Sequence, residues 1–323
     1  MRRGTGWIAP VVALAVVAVG CTVGPGSTGT FERTLTVTGP VRLELLNGSG
    51  KVEISAGEPG QVRIQGEVRA RGWLLGDARA RVKEITHNPP IEQQGNLIHI
   101  GYDKERLRWA SINYTVVVPA ETELQAAVGS GRLEVRKING PAKLTTGSGG
   151  ITAENIREDV QATAGSGGIS LTDVEGEVRA TAGSGGIALT EVRGQIRAMT
   201  GSGGITIAEP GGRITAKTGS GGVTVSGAAA DLRASTGSGR LTIEGNPAPN
   251  SYWELRTGSG GVELRVPPSA SFRLYARSGS GRLVDTNIPL VIEEHTRREL
   301  RARVGGGAAR VEVHTGSGGI TIR

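Results

Sequence analysis

The phrase Gly-Ser-Gly recurs along the chain at a fixed spacing, and this repeat constrains the fold more than any other feature. Seven copies begin 18 residues apart, at Gly129, Gly147, Gly165, Gly183, Gly201, Gly219 and Gly237. Two steps of 21 residues lead to Gly258 and Gly279, and a further copy begins at Gly316. A period near 20 residues is typical of a solenoid, a propeller or a repeat array. Since a four-stranded propeller blade needs about 40 residues, the spacing favours a solenoid.

Two short alternating stretches lie in each repeat and predict two strands. One begins after the glycines, as at Ile151 and Ala153, and the other comes later, as at Val160 and Ala162, with a polar residue inside each pair. Apolar–polar–apolar alternation is typical of a strand with one buried face. Coils stacked about 4.8 Å apart pair each strand with its neighbour and line the interior with aliphatic ladders. The sequence therefore predicts an all-β solenoid with 18-residue coils.

The serines of the recurring phrase form a column that we interpret as a structural turn ladder. Glycine adopts positive φ at little cost, so these turns form sharp corners, and hydroxyls stacked there can bond their neighbours. A catalytic nucleophile needs one copy activated by a base, whereas these copies are equivalent and have no adjacent histidine. The column comprises Ser130, Ser148, Ser166, Ser184, Ser202, Ser220 and Ser238.

The first residues resemble the signal of a bacterial lipoprotein. Arg2 and Arg3 precede an apolar stretch that ends in Ala18-Val19-Gly20-Cys21, where small residues suit cleavage. We expect residues 1–20 to be a signal peptide, Cys21 to carry a lipid anchor, and 21–30 to be a flexible tether rich in Gly, Ser and Thr. Simple secretion with an incidental cysteine and a retained membrane helix are the alternatives. Cys21 is the sole cysteine, so no disulfide forms within the chain.

Charge and composition narrow the class of partner. The formal net charge is +7, and the basic residues are spread along the chain without a dense run. This distribution favours attraction to anionic envelope polymers over nucleic-acid binding. Glycine accounts for 53 of 323 residues but follows no Gly-X-Y triplet, which excludes collagen.

Segments outside the regular repeats carry weaker patterns. We interpret Phe31 to Ala70 as the first coils, and the stretch from Asp77 to Thr86 predicts a helical insert before Asn88-Pro89-Pro90. Near the other end, Glu293 to Arg303 suits a short charged helix or a long loop, and we expect it to cap the solenoid. The predicted domain is therefore 31–323, with N-terminal coils in 31–128, regular repeats in 129–282 and a cap in 283–323.

Several of these motifs resemble a known family. Asn47-Gly48-Ser49-Gly50-Lys51-Val52, the strand from Tyr114 to Pro119, the serial Gly-Ser-Gly-Gly-Ile turns and the closing His314 to Ile320 stand in the order found in a bacterial β-strand-repeat family of unknown function. Members of this family are labelled "putative adhesins". The resemblance covers Phe31 to Arg323 and implies a right-handed, single-chain parallel β-helix without known catalysis. Family turns often carry Asp after the second Gly, where this chain mostly has Gly.

One column of each second strand points outward in the predicted solenoid and is a candidate binding surface. It presents Arg179, Arg197 and Arg233, together with Gln161 and Thr215, on a flat face suited to many weak contacts. Tyr252 and Tyr275 are expected to point outward near one another, as a patch for carbohydrate, whereas Trp253 falls in an interior column. The partner we expect is an envelope polysaccharide or a membrane-associated protein. A simply solvated face is the alternative.

Catalytic and metal chemistry have little support in the sequence. Asp173, Glu191 and Glu209 occupy equivalent positions of adjacent coils; we expect a solvated edge there, with weak cation binding left open. The histidines show no metal-ligand spacing, no phosphate loop is present, and we found no facing pair of carboxylates for glycoside hydrolysis. We therefore expect no cofactor and a non-enzymatic exported protein of the cell envelope. An envelope-stress component and a polysaccharide-active enzyme are the alternatives.

Overall fold

A computed structural model describes residues 27–70, 75–101, 107, 109–280 and 285–323. Over these residues the chain forms two long sheets, here called sheet A with 14 strands and sheet B with 15. Strands of the regular repeats alternate between the two sheets, and their apolar side chains meet in one core. The all-β class predicted from the sequence is confirmed.

The N-terminal elements combine strands with one helix. They are β1 (Ser27–Thr36), β2 (Val41–Ser49), β3 (Val52–Gly57), β4 (Gln61–Ala70), α1 (Leu75–His87), β5 (Ile91–Gln94), β6 (Leu97–Ile100) and β7 (Ala110–Pro119). The predicted insert helix is thus confirmed, with slightly wider bounds.

The regular coils follow, each with one strand in each sheet. Their strands are β8 (Thr122–Ser130), β9 (Leu133–Ile138), β10 (Ala142–Thr146), β11 (Ile151–Ile156), β12 (Val160–Ala164), β13 (Ile169–Val174), β14 (Val178–Ala182), β15 (Ile187–Val192), β16 (Ile196–Thr200), β17 (Ile205–Ala208), β18 (Ile214–Thr218), β19 (Val223–Ala228), β20 (Leu232–Thr236) and β21 (Leu241–Gly245). All pair in parallel and, apart from a shift between β19 and β21 after Val225, in register: Ile169 pairs with Ile187, and Ile187 with Ile205. These three side chains are buried, so the aliphatic ladders lie inside as expected.

The C-terminal elements complete both sheets. They are β22 (Tyr252–Thr257), β23 (Val262–Arg265), β24 (Phe272–Ser278), β25 (Asp285–Thr286), β26 (Val291–His295), β27 (Glu299–Val304), β28 (Ala309–Thr315) and β29 (Ile320–Ile322). Sheet A runs in the order β1-β4-β7-β3-β9, then through the odd-numbered strands to β23-β29-β25. Sheet B runs β26-β27-β24-β28-β22, then through the even-numbered strands to β8-β2-β6-β5.

The prediction that Phe31 to Ala70 forms regular coils is wrong for β1 and β4. These two strands pair antiparallel with each other, and β4 pairs antiparallel with β7. Each has ten residues, against five or six in most regular strands, and no Gly-Ser-Gly corner follows either one to turn the chain toward the opposite sheet. Only β2 and β3 stack as a coil, directly on β8 and β9.

Helix α1 covers the N-terminal end of the core. Ala78, Val82 and Ile85 are buried, and the helix packs against β1 and β4. The approach to β1 is close, because a Cβ added to Gly29 would lie 2.7 Å from Val82 Cγ1. Glycine at position 29 therefore allows the helix to close this end.

The prediction of a charged helix or loop over Glu293 to Arg303 is also wrong. Strands β26 and β27 form an antiparallel hairpin that extends sheet B beyond β24. Along β27 the buried Leu300, Ala302 and Val304 alternate with exposed arginines, which is the period of a strand and not of a helix. The segment still lies at the end of the stack.

The order of coils in space differs from their order in sequence at the C-terminal end. Strand β28 lies between β22 and β24, and β29 lies between β23 and β25. The last copy of the repeated phrase therefore stacks between two earlier copies: Gly316 lies next to both Gly258 and Gly279.

Candidate binding surface on sheet B

A column of buried threonines supports the recurring turns, and sequence analysis missed it. Thr218 Oγ1 donates to Gly203 O of the neighbouring coil over 2.8 Å and accepts from Gly221 N over 3.2 Å. Equivalent bonds are made by Thr200, Thr236, Thr257 and Thr315. The signal that would have found this column is the threonine that directly precedes the phrase Gly-Ser-Gly. The column holds the turns, and hence the ends of both sheets, in register.

The serines of the repeated phrase lie at the same corner but face outward. All seven, from Ser130 to Ser238, are exposed, and the main-chain N–H of Ser166 donates to Gly147 O of the neighbouring coil over 3.0 Å. The serine ladder as a structural device stays a prediction. The hydrogen bonds described above are made by the threonine hydroxyls beneath it.

The acidic column occupies a corner where the backbone has positive φ. Asp173, Glu191 and Glu209 have φ of 53°, 55° and 52°, and Asn155 of the preceding coil has 58°. Side chains other than Asn, Asp and Gly seldom adopt this left-handed conformation. Among the described residues, no group of three or more His, Cys, Asp or Glu is arranged to hold a metal ion.

The outer face of sheet B carries a continuous row of polar side chains in register, here called the basic row. Its members pair from strand to strand in the order Lys143, Gln161, Arg179, Arg197, Thr215 and Arg233. Side chains at equivalent positions of neighbouring strands are about 4.8 Å apart. The row places four positive charges on one flat face.

The arginines of the basic row differ in their partners. Arg179 lies 3.2 Å from Glu177, and Arg233 lies 3.5 Å from Glu254. Arg197 is exposed and has no acidic partner within 4 Å in the described part of the chain. Its guanidinium is available for an anion without the loss of an existing ion pair.

A shallow groove of about 250 Å³ lies at the N-terminal half of the basic row. Its polar lining combines row members with acidic side chains of the adjoining turns: Glu123, Gln125, Lys143, Asp159, Gln161, Glu177 and Arg179. All three acids already have partners: Asp159 Oδ1 accepts from the Glu177 main-chain N–H over 2.8 Å, Glu177 pairs with Arg179, and Glu123 lies 3.8 Å from Arg42. Donors and acceptors thus alternate across the groove, as hydroxyl-rich or charged polymers require.

Tyr252 and Tyr275 lie on this face but form no shared platform. Strand β28 separates them, and each is half-buried. Arg310 lies over the Tyr252 ring at 5.7 Å, and Arg301 over the Tyr275 ring at 5.5 Å. The carbohydrate patch inferred from these tyrosines stays a prediction, with guanidinium groups already on the rings. Trp253 is fully buried, as expected, and donates from Nε1 to Ala230 O.

A pair of carboxylates that sequence analysis did not find lies between the tyrosines. Glu254 and Glu312 pair in register, and Tyr252 Oη donates to Glu312 Oε2 over 2.7 Å. Burial and this carboxylate raise the pKa of Tyr252 to about 12. Although burial opposes ionisation of Glu312, hydrogen bonds from Tyr252 and Arg310 hold the pKa of Glu312 below its usual range. A general acid for glycoside hydrolysis needs a raised pKa, and Glu312 is instead held ionised by its hydrogen-bond donors.

The outer face of sheet A has no basic row in the same coils. The side chains of its equivalent row are short and uncharged: Thr152, Ser170, Ala188, Thr206, Thr224 and Thr242. Glu134 and Glu263 adjoin this row at its two ends. The basic row therefore has no charged equivalent on sheet A, although other positions of sheet A, such as Arg136 and Glu154, carry charge.

The sequence predicts membrane attachment through a signal peptide and Cys21, with a retained membrane helix as the alternative. Cys21 and the signal peptide lie outside the described residues. Within the described residues, no helix combines the length and apolar character that crossing a bilayer requires.

Comparison with known proteins finds one family and two similar structures. The sequence model of the family described as Toastrack DUF4097 matches residues 81–323. Two crystal structures align with 91% of this chain: a "putative adhesin" from Bacteroides fragilis, at 10% identity over 97% of its chain with a TM-score of 0.36, and a "putative cell adhesion protein" from Clostridium sporogenes, at 11% identity over 98% of its chain with a TM-score of 0.20. No curated protein matches the sequence.

Proposed function

Since the chain belongs to the Toastrack DUF4097 family, we propose that it is a non-enzymatic cell-envelope protein that binds an anionic polymer on sheet B. In this proposal the body, 31–323, is a right-handed β-solenoid in which the regular coils have 18 residues and β1 and β4 are antiparallel additions to sheet A. Residues 1–20 direct export, and Cys21 carries the lipid anchor on a tether shorter than the predicted 21–30, because β1 already begins at Ser27. The family match supports the solenoid, and the sequence Ala18 to Cys21 supports the anchor.

The basic row carries the proposal for the polymer. A rigid face with positive groups one or two strand spacings apart, or about 5 to 10 Å, allows a chain molecule to make several contacts at once. Each exposed ion pair contributes only about 0–1 kcal/mol, so affinity depends on how many are made together. The equivalent row of sheet A, from Thr152 to Thr242, carries no charge, which supports a function specific to the row on sheet B.

Binding is tested with the chain from residue 21 onward, carrying Cys21→Ser so that it stays in solution. Its affinity is measured for poly(glycerol phosphate), as an anionic polymer, and for dextran, as a neutral one. Arg179→Gln/Arg197→Gln/Arg233→Gln is expected to weaken binding to the anionic polymer about tenfold, since each contact contributes about 0.5 kcal/mol. Dextran is expected to bind neither form.

A matched control removes the same charge from sheet A. Arg136→Gln, Arg240→Gln and Arg265→Gln together change three exposed arginines outside the basic row. This control is expected to bind like the parent chain. Equal losses in both triple variants would attribute binding to net charge alone, and no binding by the parent chain would refute the polymer proposal.

The anchor is tested separately in cells that process lipoproteins. Metabolic labelling with a radioactive fatty acid is expected to mark the parent chain and not Cys21→Ser. Label on the variant, or none on the parent, would contradict lipidation at Cys21 and leave the polymer result unaffected.

A further inference from the structure

Three segments of the chain meet at one corner of the N-terminal end. Ser27, where the described chain begins, pairs with Ala70 at the end of β4, and Ala70 pairs with Ala110 at the start of β7. Trp109 directly precedes Ala110. The segment that connects Cys21 to the folded body therefore reaches it next to an exposed tryptophan.

Trp109 is unusual in both its exposure and its backbone. Its side chain is 69% exposed, the largest value among the exposed large apolar residues of the described chain, and its φ is 71°. A bulky residue with positive φ is a genuine outlier that surrounding structure must hold in place. An indole held outward in this way combines an apolar body with a polar N–H, which suits the boundary between water and lipid.

Helix α1 adds positive charge to the same end. Arg79 and Lys83 are exposed and lie four residues apart, on one face of the helix, and Arg81 between them is half-buried. Glu84 is the exposed carboxylate among the described side chains of the helix. Because α1 packs on β1 and β4, the outermost strands of sheet A at this end, its exposed face belongs to the end surface of the solenoid.

The length of chain before Ser27 limits how far this corner can stand from an anchor. Five residues lie between Cys21 and Ser27, and the six steps of an extended chain, at about 3.5 Å each, span at most about 20 Å. A lipid-anchored molecule therefore keeps Trp109 and α1 close to the membrane. The opposite end of sheet A, at β25, lies on the order of 60 Å away, given 14 strands in this sheet and a strand spacing near 4.8 Å.

We infer that the N-terminal end is a membrane-docking surface, in which Trp109 enters the headgroup region and Arg79 and Lys83 contact anionic lipid headgroups. The inference rests on the proposed lipid anchor for its biological setting. The anchor supplies proximity, and the docking surface sets the orientation, with the N-terminal end on the lipid and the basic row directed along the axis away from it. A lipid chain combined with basic residues binds membranes more firmly than either signal alone.

The test uses the chain from residue 21 with Cys21→Ser, so that any binding comes from the protein surface. Vesicles of phosphatidylglycerol and phosphatidylcholine in equal parts are compared with vesicles of phosphatidylcholine alone by co-sedimentation. Binding to the anionic vesicles is expected, with little binding to the neutral ones. Arg79→Gln/Lys83→Gln is expected to weaken it about 20-fold, since each basic side chain near an anionic surface contributes roughly fivefold.

Trp109→Ala is expected to weaken vesicle binding about tenfold through the loss of buried apolar area. In a Trp73→Phe background, quenching of tryptophan fluorescence by brominated lipid is expected with Trp109 present and is expected to be lost in Trp109→Phe, which keeps an aromatic ring. Lys217→Gln/Arg240→Gln removes the same charge from the regular coils, and Met199→Ala removes an exposed apolar side chain there. Both controls are expected to bind like the parent chain, and thermal unfolding verifies that every variant is folded.

The outcomes separate this inference from the proposed function. Equal binding to both vesicle types, or losses in the controls that match those in the Arg79, Lys83 and Trp109 variants, would overturn the docking surface. If the parent chain fails to bind anionic vesicles while fatty-acid labelling at Cys21 succeeds, the docking surface is wrong and the anchor stands. Vesicle binding without labelling would support the docking surface and refute the anchor.

Discussion

The regular coils and the two ends of this solenoid are stabilised in different ways. In the coils, one set of contacts repeats: aliphatic ladders inside, threonine hydroxyls beneath the turns, and backbone stacked on backbone at each Gly-Ser-Gly corner. At the ends, each contact occurs once, such as Phe31 against Gly66 or Tyr252 against Glu312. The comparison teaches that the repeat specifies stacking, whereas single side-chain contacts specify where stacking stops.

The largest effect is expected from a substitution in the backbone stack of the coils. A Cβ on Gly185 would overlap Gly167 O and lie 2.8 Å from Gly168 N of the neighbouring coil. Because both obstacles are main chain, the coils must separate locally, and Gly185→Ala is expected to lower the free energy of unfolding by about 3 kcal/mol. Denaturant unfolding followed by circular dichroism measures the change.

The next glycine along the chain provides the control. A Cβ on Gly186 would lie 3.4 Å from Gly204 O, which is ordinary contact. Gly186→Ala is expected to change stability by less than about 0.5 kcal/mol. Similar losses at both positions would mean that chain flexibility, and not stacked backbone, explains the glycines.

A smaller effect is expected where the obstacle is a single side chain at the N-terminal end. The Phe31 ring lies over Gly66, and a Cβ there would come within 2.8 Å of Phe31 Cε2 and closer still to other ring atoms. Since a ring can shift more easily than a backbone, Gly66→Ala is expected to cost about 2 kcal/mol. A double-mutant cycle with Phe31→Leu is expected to recover about half of this loss.

Gly48→Ala controls for the loss of glycine itself, because nothing lies within 4 Å of the added Cβ. If Phe31→Leu recovers nothing, the ring is not the obstacle at Gly66. Backbone contacts would then be the obstacle at the N-terminal end, as they are in the regular coils.

The sequence predicted the regular coils well and the ends of the solenoid poorly. The alternation around Ile169 and Val178 predicted strands, burial and pairing, because every coil repeats the same local pattern and neighbouring copies reinforce it. The place of the Gly316 copy between two earlier coils was not predictable, since its local pattern equals theirs and only contacts distant in sequence distinguish the positions. In β26, Val291 and Ile292 stand side by side without alternation, and both are exposed.

On the candidate binding surface, too, one part was predictable from the sequence and another was not. Arg179, Arg197 and Arg233 were predicted as an outward column because each follows a buried residue by one position. The pairing of Glu254 with Glu312 was not, since it requires β28 to lie beside β22 although 51 residues lie between the two strands in the sequence. Strand pairings that do not follow the repeat leave no periodic pattern in the sequence from which they could be predicted.

The threonine column allows the hydrogen bonds of the regular coils to be tested separately from their backbone stacking. Thr218→Val keeps the shape of the side chain but removes the bonds to Gly203 O and from Gly221 N. Two buried main-chain groups lose their partner, so a loss of about 1–2 kcal/mol is expected. Thr215→Val, on the outer face of the same strand, is the matched control and is expected to be nearly neutral.

Three of the regular coils already lack this hydroxyl, because Val128, Ala164 and Ala182 occupy the column. Ala182→Thr is therefore expected to stabilise the protein, by up to about 1 kcal/mol, if the added side chain fits. A loss for Ala182→Thr together with no loss for Thr218→Val would show that the column is filled for its volume and not for its hydrogen bonds.

The smallest effect is expected from the bond that joins Tyr252 to the inserted strand β28. The pKa of Glu312 is lowered in the folded state, so its contribution to stability is present above the unfolded pKa and is lost as the pH falls through the folded value. The pKa of Tyr252 is raised to about 12, so its contribution is present below the unfolded pKa near 10 and is lost as the pH rises toward 12.

Tyr252→Phe is expected to cost about 1 kcal/mol at neutral pH and to flatten the alkaline limb of stability, while Glu312→Gln flattens the acid limb. Tyr275→Phe leaves this bond intact and is expected to change neither limb. An alkaline limb that persists in Tyr252→Phe would assign it to another group, and the inserted coil would then be held by main-chain pairing and its apolar side chains, as the regular coils are.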